Sequence, residues 1–200
     1  AIDPVRYITN HGSGKMGFAL AQAAIEAGAR VTLVTGPVEQ TTPDRAERIN
    51  VTSAQEMLIA CEAAMPCDIL IAAAAVADFR PEIYTEHKLK KDTQSDDGLV
   101  LRLIRNPDIL ATLAKRSDRP FCVGFAAETQ NILHYAAGKL KSKNLDLIVA
   151  NDVANSAIGF NSDENAICVI DRQHKQIHFE QTSKSKIAQQ LIEFISQKLQ

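Results

Sequence analysis

An α/β fold, with a mostly parallel sheet covered by helices on both faces, is what this 200-residue chain predicts, on three observations. Apolar runs of strand length alternate with helix-length segments, the spacing of strand–helix–strand units. The run Val31–Thr35 is β-branched, as a strand buried on both faces should be. A glycine turn, Asn10–Gly17, links the apolar run Val5–Thr9 to an alanine-rich segment, a strand–turn–helix layout. Together these describe a Rossmann-like three-layer fold, and a tail of different style adds a β-hairpin and a helix at one edge.

Val5–Thr9 is the expected first strand. The first helix should run from Lys15 to about Ala27 and stop at Gly28, a left-handed cap. Its alanines allow close approach to a sheet. After Val31–Thr35, a loop with Pro37 and Pro43 leads to a short strand near Ile49–Val51. Ser53-Ala54-Gln55-Glu56 is a capping box for a helix that ends before Pro66. The strand Asp68–Ala72 then runs into Ala73–Pro81, and large side chains vanish after Ile71. Small residues there leave room for a ligand against backbone, or admit the alanine-rich helix; composition supports both equally.

Lys88, Lys90 and Lys91 form a dense basic run, and the polar tract Asp92–Gly98 after it reads as mobile. Leu99–Ile104 is the next expected strand. Asn106-Pro107-Asp108 opens a helix, with Asn106 as N-cap, Pro107 in the first turn and Asp108 complementing the dipole. Phe121–Phe125 and Leu145–Ala150 are strands, and the helix between them carries Lys139 and Lys143 on one face. Strands near Ala166–Ile170 and Gln176–Glu180 form the hairpin. The final helix, Lys184–Leu199, places Ile187, Leu191, Ile192, Ile195 and Leu199 on one stripe.

A hydrophobic content of 46% suits one compact domain over residues 1–200. The net charge of -2 gives no reason to expect nucleic acid or an anionic membrane as a partner. No apolar run approaches a membrane span, and the start lacks a signal-peptide pattern. Cys61, Cys67, Cys122 and Cys168 lack metal-type spacing and read as buried free thiols in a reducing cytoplasm.

Strand, glycine turn and helix together offer a helix N-terminus to an anion, since its first N–H groups lack internal partners. Gly12, Gly14 and Gly17 satisfy the dinucleotide pattern G-x-G-x-x-G, but the next strand ends in Gly36-Pro37 without the acid that holds a ribose. A P-loop is not met either, because Thr9 stands where its first glycine belongs and Met16 follows Lys15. The turn therefore reads as a phosphate site of neither kind, against the alternative of a turn that only packs a helix on a strand. Asn10–Gly17, Ala72–Asp78, Asn106–Leu110 and Phe125–Glu128 all follow strands at the carboxyl edge, where ligands of such sheets bind.

Six motifs then occur in one order: Asn10-His11-x-Ser13-Gly14-Lys15-Met16-Gly17, Ala74-Ala75-Val76-Ala77-Asp78, Lys88-x-Lys90-Lys91, Asn106-Pro107-Asp108-Ile109, Gly124–Glu128 and Ala150-Asn151-Asp152. Together the chain resembles bacterial phosphopantothenoylcysteine synthetase, the ligase half of the bifunctional coenzyme A biosynthesis flavoprotein. The resemblance covers nearly the whole chain; its one departure is Gly12, where the family usually has a second serine. It implies joining of 4′-phosphopantothenate to cysteine through an acyl-cytidylate, with CTP as co-substrate and Mg2+ or another divalent cation. It implies a cytoplasmic homodimer, and in full-length form a preceding flavin-dependent decarboxylase domain. That domain is absent from these residues, so no flavin is implied here.

The same resemblance implies roles. Asn10 is the catalytic asparagine, and Lys88 neutralises charge at the α-phosphate and intermediate. Gly12, Ser13, Gly14 and Lys15 cradle phosphate, while Ala72, Ala73 and Ala74 let cytidine lie on the strand end. Asp78, Pro107, Asp108, Ile109, Leu110 and Phe125 match nucleotide-binding positions, and Lys139 and Lys143 match contacts to CTP. Arg6 is assigned to the acidic substrate; no residue is assigned to metal. Two other classes compete: a nicotinamide-dependent oxidoreductase, disfavoured by the missing acid, and a non-catalytic nucleotide-binding module, disfavoured by Asn10 together with the lysine motif.

Overall fold

Alternation along three central strands sets the core. The computed structural model of the chain describes residues 1–90, 98–128, 138–152 and 162–199, with backbone alone at 127–128 and 151–152. Lys91, the tract expected to be mobile up to Gly98, and the side chains of Glu128, Asn151 and Asp152 lie outside these residues.

The elements in order are α1 (Lys15–Glu26), β1 (Thr32–Thr35), β2 (Glu47–Asn50), α2 (Ala54–Ala63), β3 (Ile69–Ala72), β4 (Phe79–Pro81) and β5 (Leu103–Arg105). There follow α3 (Ile109–Ala114), β6 (Phe121–Glu128), β7 (Leu147–Asp152), β8 (Glu164–Asp171), β9 (Gln176–Ser183) and α4 (Lys184–Leu199). The main sheet has the order β3-β6-β7-β8-β9. Its first three strands are parallel, and β8 and β9 extend it as the antiparallel hairpin that the tail predicts. Successive side chains on a strand point to opposite faces. Val123, Leu147, Val149, Ile167 and Val169 accordingly meet Leu20 and Ala23 of α1 and Ile187, Leu191 and Ile195 of α4. Cys122, Ile148, Ala150, Cys168 and Ile170 face the other way, against Ala114 of α3 and Leu140. The three-layer expectation holds.

Several elements differ from expectation. The parallel strands divide, with β1 and β2 forming a ribbon of their own. Val5–Thr9 is not a strand, because Asp3 captures its backbone. The buried Asp3 carboxylate accepts from the amides of Val5 and Arg6, both at 2.8 Å, and from Leu89 at 3.2 Å. Arg6 Nε closes on Asp3 Oδ2 at 3.0 Å, and Ile2 N donates to Arg6 O at 2.8 Å. A local side-chain acceptor thus replaces a ladder. The strand expected over Leu99–Ile104 narrows to β5, which pairs antiparallel with β4 outside the main sheet. Asp108, not Asn106, caps α3, accepting from Ala111 N at 3.0 Å; the Asn106 amide instead donates to Ala77 O at 2.8 Å. Ser53 caps α2 as expected, and Glu56 reaches back to Thr52 N at 2.8 Å. Leu199 ends the apolar stripe of α4 half-exposed.

Arg6 holds the Asp3 carboxyl well below the usual carboxylate range, against the opposing pull of burial. The unfolded chain therefore binds this proton first. The contribution of Asp3 is whole above the ordinary carboxylate value and is lost as pH falls through the depressed folded one. Asp3→Asn is expected to lower the urea midpoint at neutral pH, and the gap should close in strong acid. A gap independent of pH in a series of urea titrations would show that the charge contributes nothing.

Candidate functional site

The site begins where the chain must turn left-handed to enter α1. Gly14, the N-cap, has φ 74°, a conformation that L side chains adopt only at a cost. A Cβ there would also stand 3.1 Å from Val38. Gly14 brings no side-chain cap, and Ser13 Oγ accepts from Lys15 N at 3.4 Å. The N-terminus of α1, with its positive dipole end, faces a cavity of about 330 Å³.

The small-residue run forms the opposite wall. Ala73, Ala74, Ala75, Val76 and Ala77 line the cavity beside Asn10, Gly12, Ser13, Gly14, Lys15 and Gly17. Asn10 Nδ2 donates to Val76 O at 3.2 Å, which ties the turn to this wall. Composition left two explanations open for these alanines; the packing on α1 is seen at Ala73, which lies against Gly17, and the same residue lines the cavity. Thr35, the last residue of β1, and Gly36–Val38 after it complete the end, and that wall contains no carboxylate. Phe125 lines the cavity from β6.

The remaining expected residues take other places. Ala72 sits on β3 opposite Gly124, at the strand end but off the cavity wall. Asp78 accepts from Asn106 N at 2.8 Å through its backbone. Leu110 packs against the second core cluster and with Ile109 begins α3, and Pro107 and the N-cap Asp108 precede that helix. There Lys143 Nζ meets Asp108 Oδ2 at 2.9 Å, and Lys143 N donates to Lys139 O at 3.0 Å, within one helical turn. Burial pushes the Asp108 carboxyl up, but the Ala111 amide and Lys143 outweigh it, so the group sits below its ordinary value. The two clusters are joined by packing: a Cβ on Gly124 would stand 2.8 Å from both Leu110 and Leu145, so only glycine lets α3 settle on β6. Lys88 is exposed, but its neighbour Leu89 is gripped by Asp3 through its amide and by Arg6 Nη2 through its carbonyl at 3.0 Å. Arg6 is thus occupied inside its own chain.

Among the lining residues that the sequence did not single out are Arg80, Asn165 and Lys184, and Asn106, expected at this edge, also lines the cavity. Arg80 Nη1 donates to Arg105 O at 2.5 Å and to Asn106 Oδ1 at 3.3 Å, and so stiffens the wall. Asn165 and Lys184 arrive from the hairpin and α4, and only the long-range fold brings them here. Among the described residues no group of three or more His, Cys, Asp or Glu side chains gathers to hold a metal, and no helix is long and apolar enough to cross a membrane.

Comparison with known proteins follows the same line. The family described as the DNA/pantothenate metabolism flavoprotein C-terminal domain matches residues 1–199. A Vibrio parahaemolyticus protein named coenzyme A biosynthesis bifunctional protein CoaBC is 58% identical over 169 residues, covering 84% of this chain and 42% of that one. A Haemophilus influenzae protein of the same name is 50% identical over 203 residues, covering 100% of this chain and 49% of its own. This chain spans about half the length of the curated relatives it matches. The crystal structure of the C-terminal domain of a coenzyme A biosynthesis bifunctional protein CoaBC superposes with a TM-score of 0.82 at 36% identity, covering 99% of this chain and 89% of that one.

The two glycines of the turn should respond differently. Gly14→Ala is expected to cost about 1–2 kcal/mol from its left-handed backbone alone, before Val38 is displaced. Gly12 is not left-handed, and a Cβ there would make ordinary contact with Ala75 at 3.4 Å. Gly12→Ser should therefore leave Tm unchanged. Thermal melts of the two variants check this; a Gly12→Ser protein as unstable as Gly14→Ala would refute it.

Proposed function

The chain belongs to the family of DNA/pantothenate metabolism flavoprotein C-terminal domains, and on that premise we propose that residues 1–200 form one phosphopantothenate–cysteine ligase domain of coenzyme A biosynthesis. The observation that carries this reading is the meeting of Asn10, the glycine turn and the Ala73–Ala77 wall in one cavity at the carboxyl ends of parallel strands. The names of the relatives support it. In the full-length protein the domain would follow a flavin-dependent decarboxylase half, as the word bifunctional in those names suggests.

The proposed reaction has two steps. A carboxylate oxygen of phosphopantothenate attacks the α-phosphorus of CTP, and pyrophosphate leaves with the electrons of the broken P–O bond. The amine of cysteine then attacks the acyl carbon, CMP departs with the acyl oxygen, and the amine loses a proton as the amide forms. A free carboxylate is a poor acyl donor; esterified to phosphate it has a good leaving group. The protein's part is positioning and charge stabilisation. Gly12, Ser13, Gly14 and Lys15 offer amides, a hydroxyl and a cation to phosphate oxygens. Asn10 donates to the acyl or phosphoryl oxygen without adding charge. Ala73, Ala74 and Phe125 give cytidine a flat bed backed by Ala72 at the strand end, and Asp78 and the turn Pro107–Leu110 read the nucleotide. Lys88, Lys139 and Lys143 supply positive charge, the last already paired with Asp108. Mg2+ finds no protein-built cage among the described residues, so no ligand is assigned to it and no step runs through it. The four cysteines are free thiols; Cys122 and Cys168 are buried as expected, whereas Cys61 and Cys67 are only partly buried.

Pyrophosphate release with CTP and phosphopantothenate tests the reading, and ATP at equal concentration should support it much less well. Asn10→Asp keeps size but replaces a donor with a carboxylate. Loss of one such donor typically costs a factor of about 10²–10³ in rate. The variant should still release pyrophosphate yet form amide slowly, so that acyl-cytidylate accumulates in the quenched mixture. Parent-like turnover of cysteine by Asn10→Asp would remove Asn10 from the catalytic role.

A homodimer belongs to the same proposal. Val100 is 94% exposed and Ile83 74%, and Tyr84, Leu103 and Phe79, in or near β4 and β5, are also exposed. Exposed apolar side chains close together in the chain suit an association surface. Light scattering should give twice the chain mass for the parent and a smaller mass for Ile83→Asp; a monomeric parent would end the idea.

A further inference from the structure

Lys184 is a cation of the cavity that none of the six motifs contains. It is 7% exposed, yet it lines the cavity together with the glycine turn. It is the first residue of α4, and its amide donates to Asp163 O at 2.9 Å. Ile187, Ala188 and Leu191, all buried in the main core, fix the helix that carries it. Lys15 lines the same cavity from the first turn of α1, and its Nζ meets Asp163 Oδ1 at 2.7 Å. Two lysines and one highly exposed aspartate thus share a corner beside a helix N-terminus. Burial pushes the Lys184 ammonium below its usual value, and Lys15 pushes in the same direction against Asp163. The corner thus concentrates two cations on the cavity wall, offset by a single exposed carboxylate.

We propose that Lys184 is an anion-binding residue which, with Lys15, holds the polyphosphate of the nucleotide seated on the glycine turn. The proposal rests on the reading of the cavity as a CTP site. Its ligand chemistry is a multiply charged phosphate chain, which two point cations and a helix N-terminus suit better than one carboxylate. Lys184 reaches the cavity only because β8 and β9 fold back on β7, so its part in the site is invisible in the local sequence.

Calorimetric titration of the full chain tests this, with CTP, CMP, tripolyphosphate and phosphopantothenate as separate probes. Lys184→Met keeps the aliphatic stem and removes the charge. It should weaken CTP and tripolyphosphate roughly tenfold or more, the scale of one lost charge-assisted hydrogen bond. CMP should lose much less, and Lys184→Arg should recover most of the binding. Unchanged affinity for CTP and tripolyphosphate overturns the proposal, and so does an equal loss for CMP and CTP. A loss confined to phosphopantothenate overturns it too, by assigning Lys184 to the phosphomonoester of the acid. Tripolyphosphate separates this idea from the ligase reading: its weakening in Lys184→Met upholds the anion site even if no pyrophosphate is ever released from CTP. Should Lys184→Met fail to fold, the parent itself decides by NMR after reductive methylation. The dimethyl-Lys184 resonance must move on adding tripolyphosphate, and an unmoved resonance overturns the proposal.

Discussion

The glycine turn meets the strand ends through backbone and methyl groups, and the rest of the site depends on that thinness. A Cβ at position 17 would lie 3.8 Å from Ala73, one at 12 would lie 3.4 Å from Ala75, and one at 14 would lie 3.1 Å from Val38. Interiors are packed too tightly to absorb branched side chains at such positions without movement. A valine at 73 or 75 would push α1 outward, and the Asn10–Val76 hydrogen bond would lengthen with it. The loss of large side chains after Ile71 is thus a packing demand of the turn before it is a feature of any ligand. The cavity is what remains once that demand is met.

The antiparallel hairpin serves the site as well as the core. Parallel strands bring their carboxyl ends, and the loops after them, to one edge. The hairpin adds residues from the far end of the chain to that edge, among them Asn165 and Lys184. It holds them firmly because α4 packs on α1 and the sheet through one apolar cluster. Burial of Ile187, Leu191 and Ile195 therefore contributes twice, once to stability and once by fixing the first residue of α4 in the cavity wall.

Local features were legible in the sequence where the physics is local. The turn, α1, the Ser53 cap and the amphipathic stripe of α4 depend on residues a few positions apart, and all appear as expected. The failures lie where a distant or competing partner decides. Val5–Thr9 has the composition of a strand, but Asp3 takes two of the backbone amides nearby. Asn106 and Asp108 are both good caps; Asn106 is drawn to Ala77, far along the chain, which leaves the helix to Asp108. The β4–β5 pairing and the wall position of Lys184 have no local signature. Of the expected site residues, those of the turn and the alanine run meet in one cavity, while Asp108, Leu110, Lys139 and Lys143 lie around a neighbouring cluster. Gly124 joins the two groups, and its necessity shows only when α3 is placed over β6.

Charge must act locally in this protein. With a net charge of -2, the chain as a whole gives a polyanion no long-range attraction. Exposed cations more than about 8–10 Å away are largely screened at physiological salt. Under the proposed function, phosphate binding would then come from groups that are partly buried or fixed at short range. On the proposed reading those groups are the N-terminus of α1, Lys15 held by Asp163, and the buried Lys184. Lys143 is similarly poised, its partner Asp108 being also the cap of α3. In each ion pair the carboxylate keeps a lysine in place at little net gain in stability. A phosphate, carrying more charge and more acceptor oxygens, is a better partner for the same cations. On the proposed reading, the acidic residues would hold the cations oriented without competing strongly against a polyphosphate.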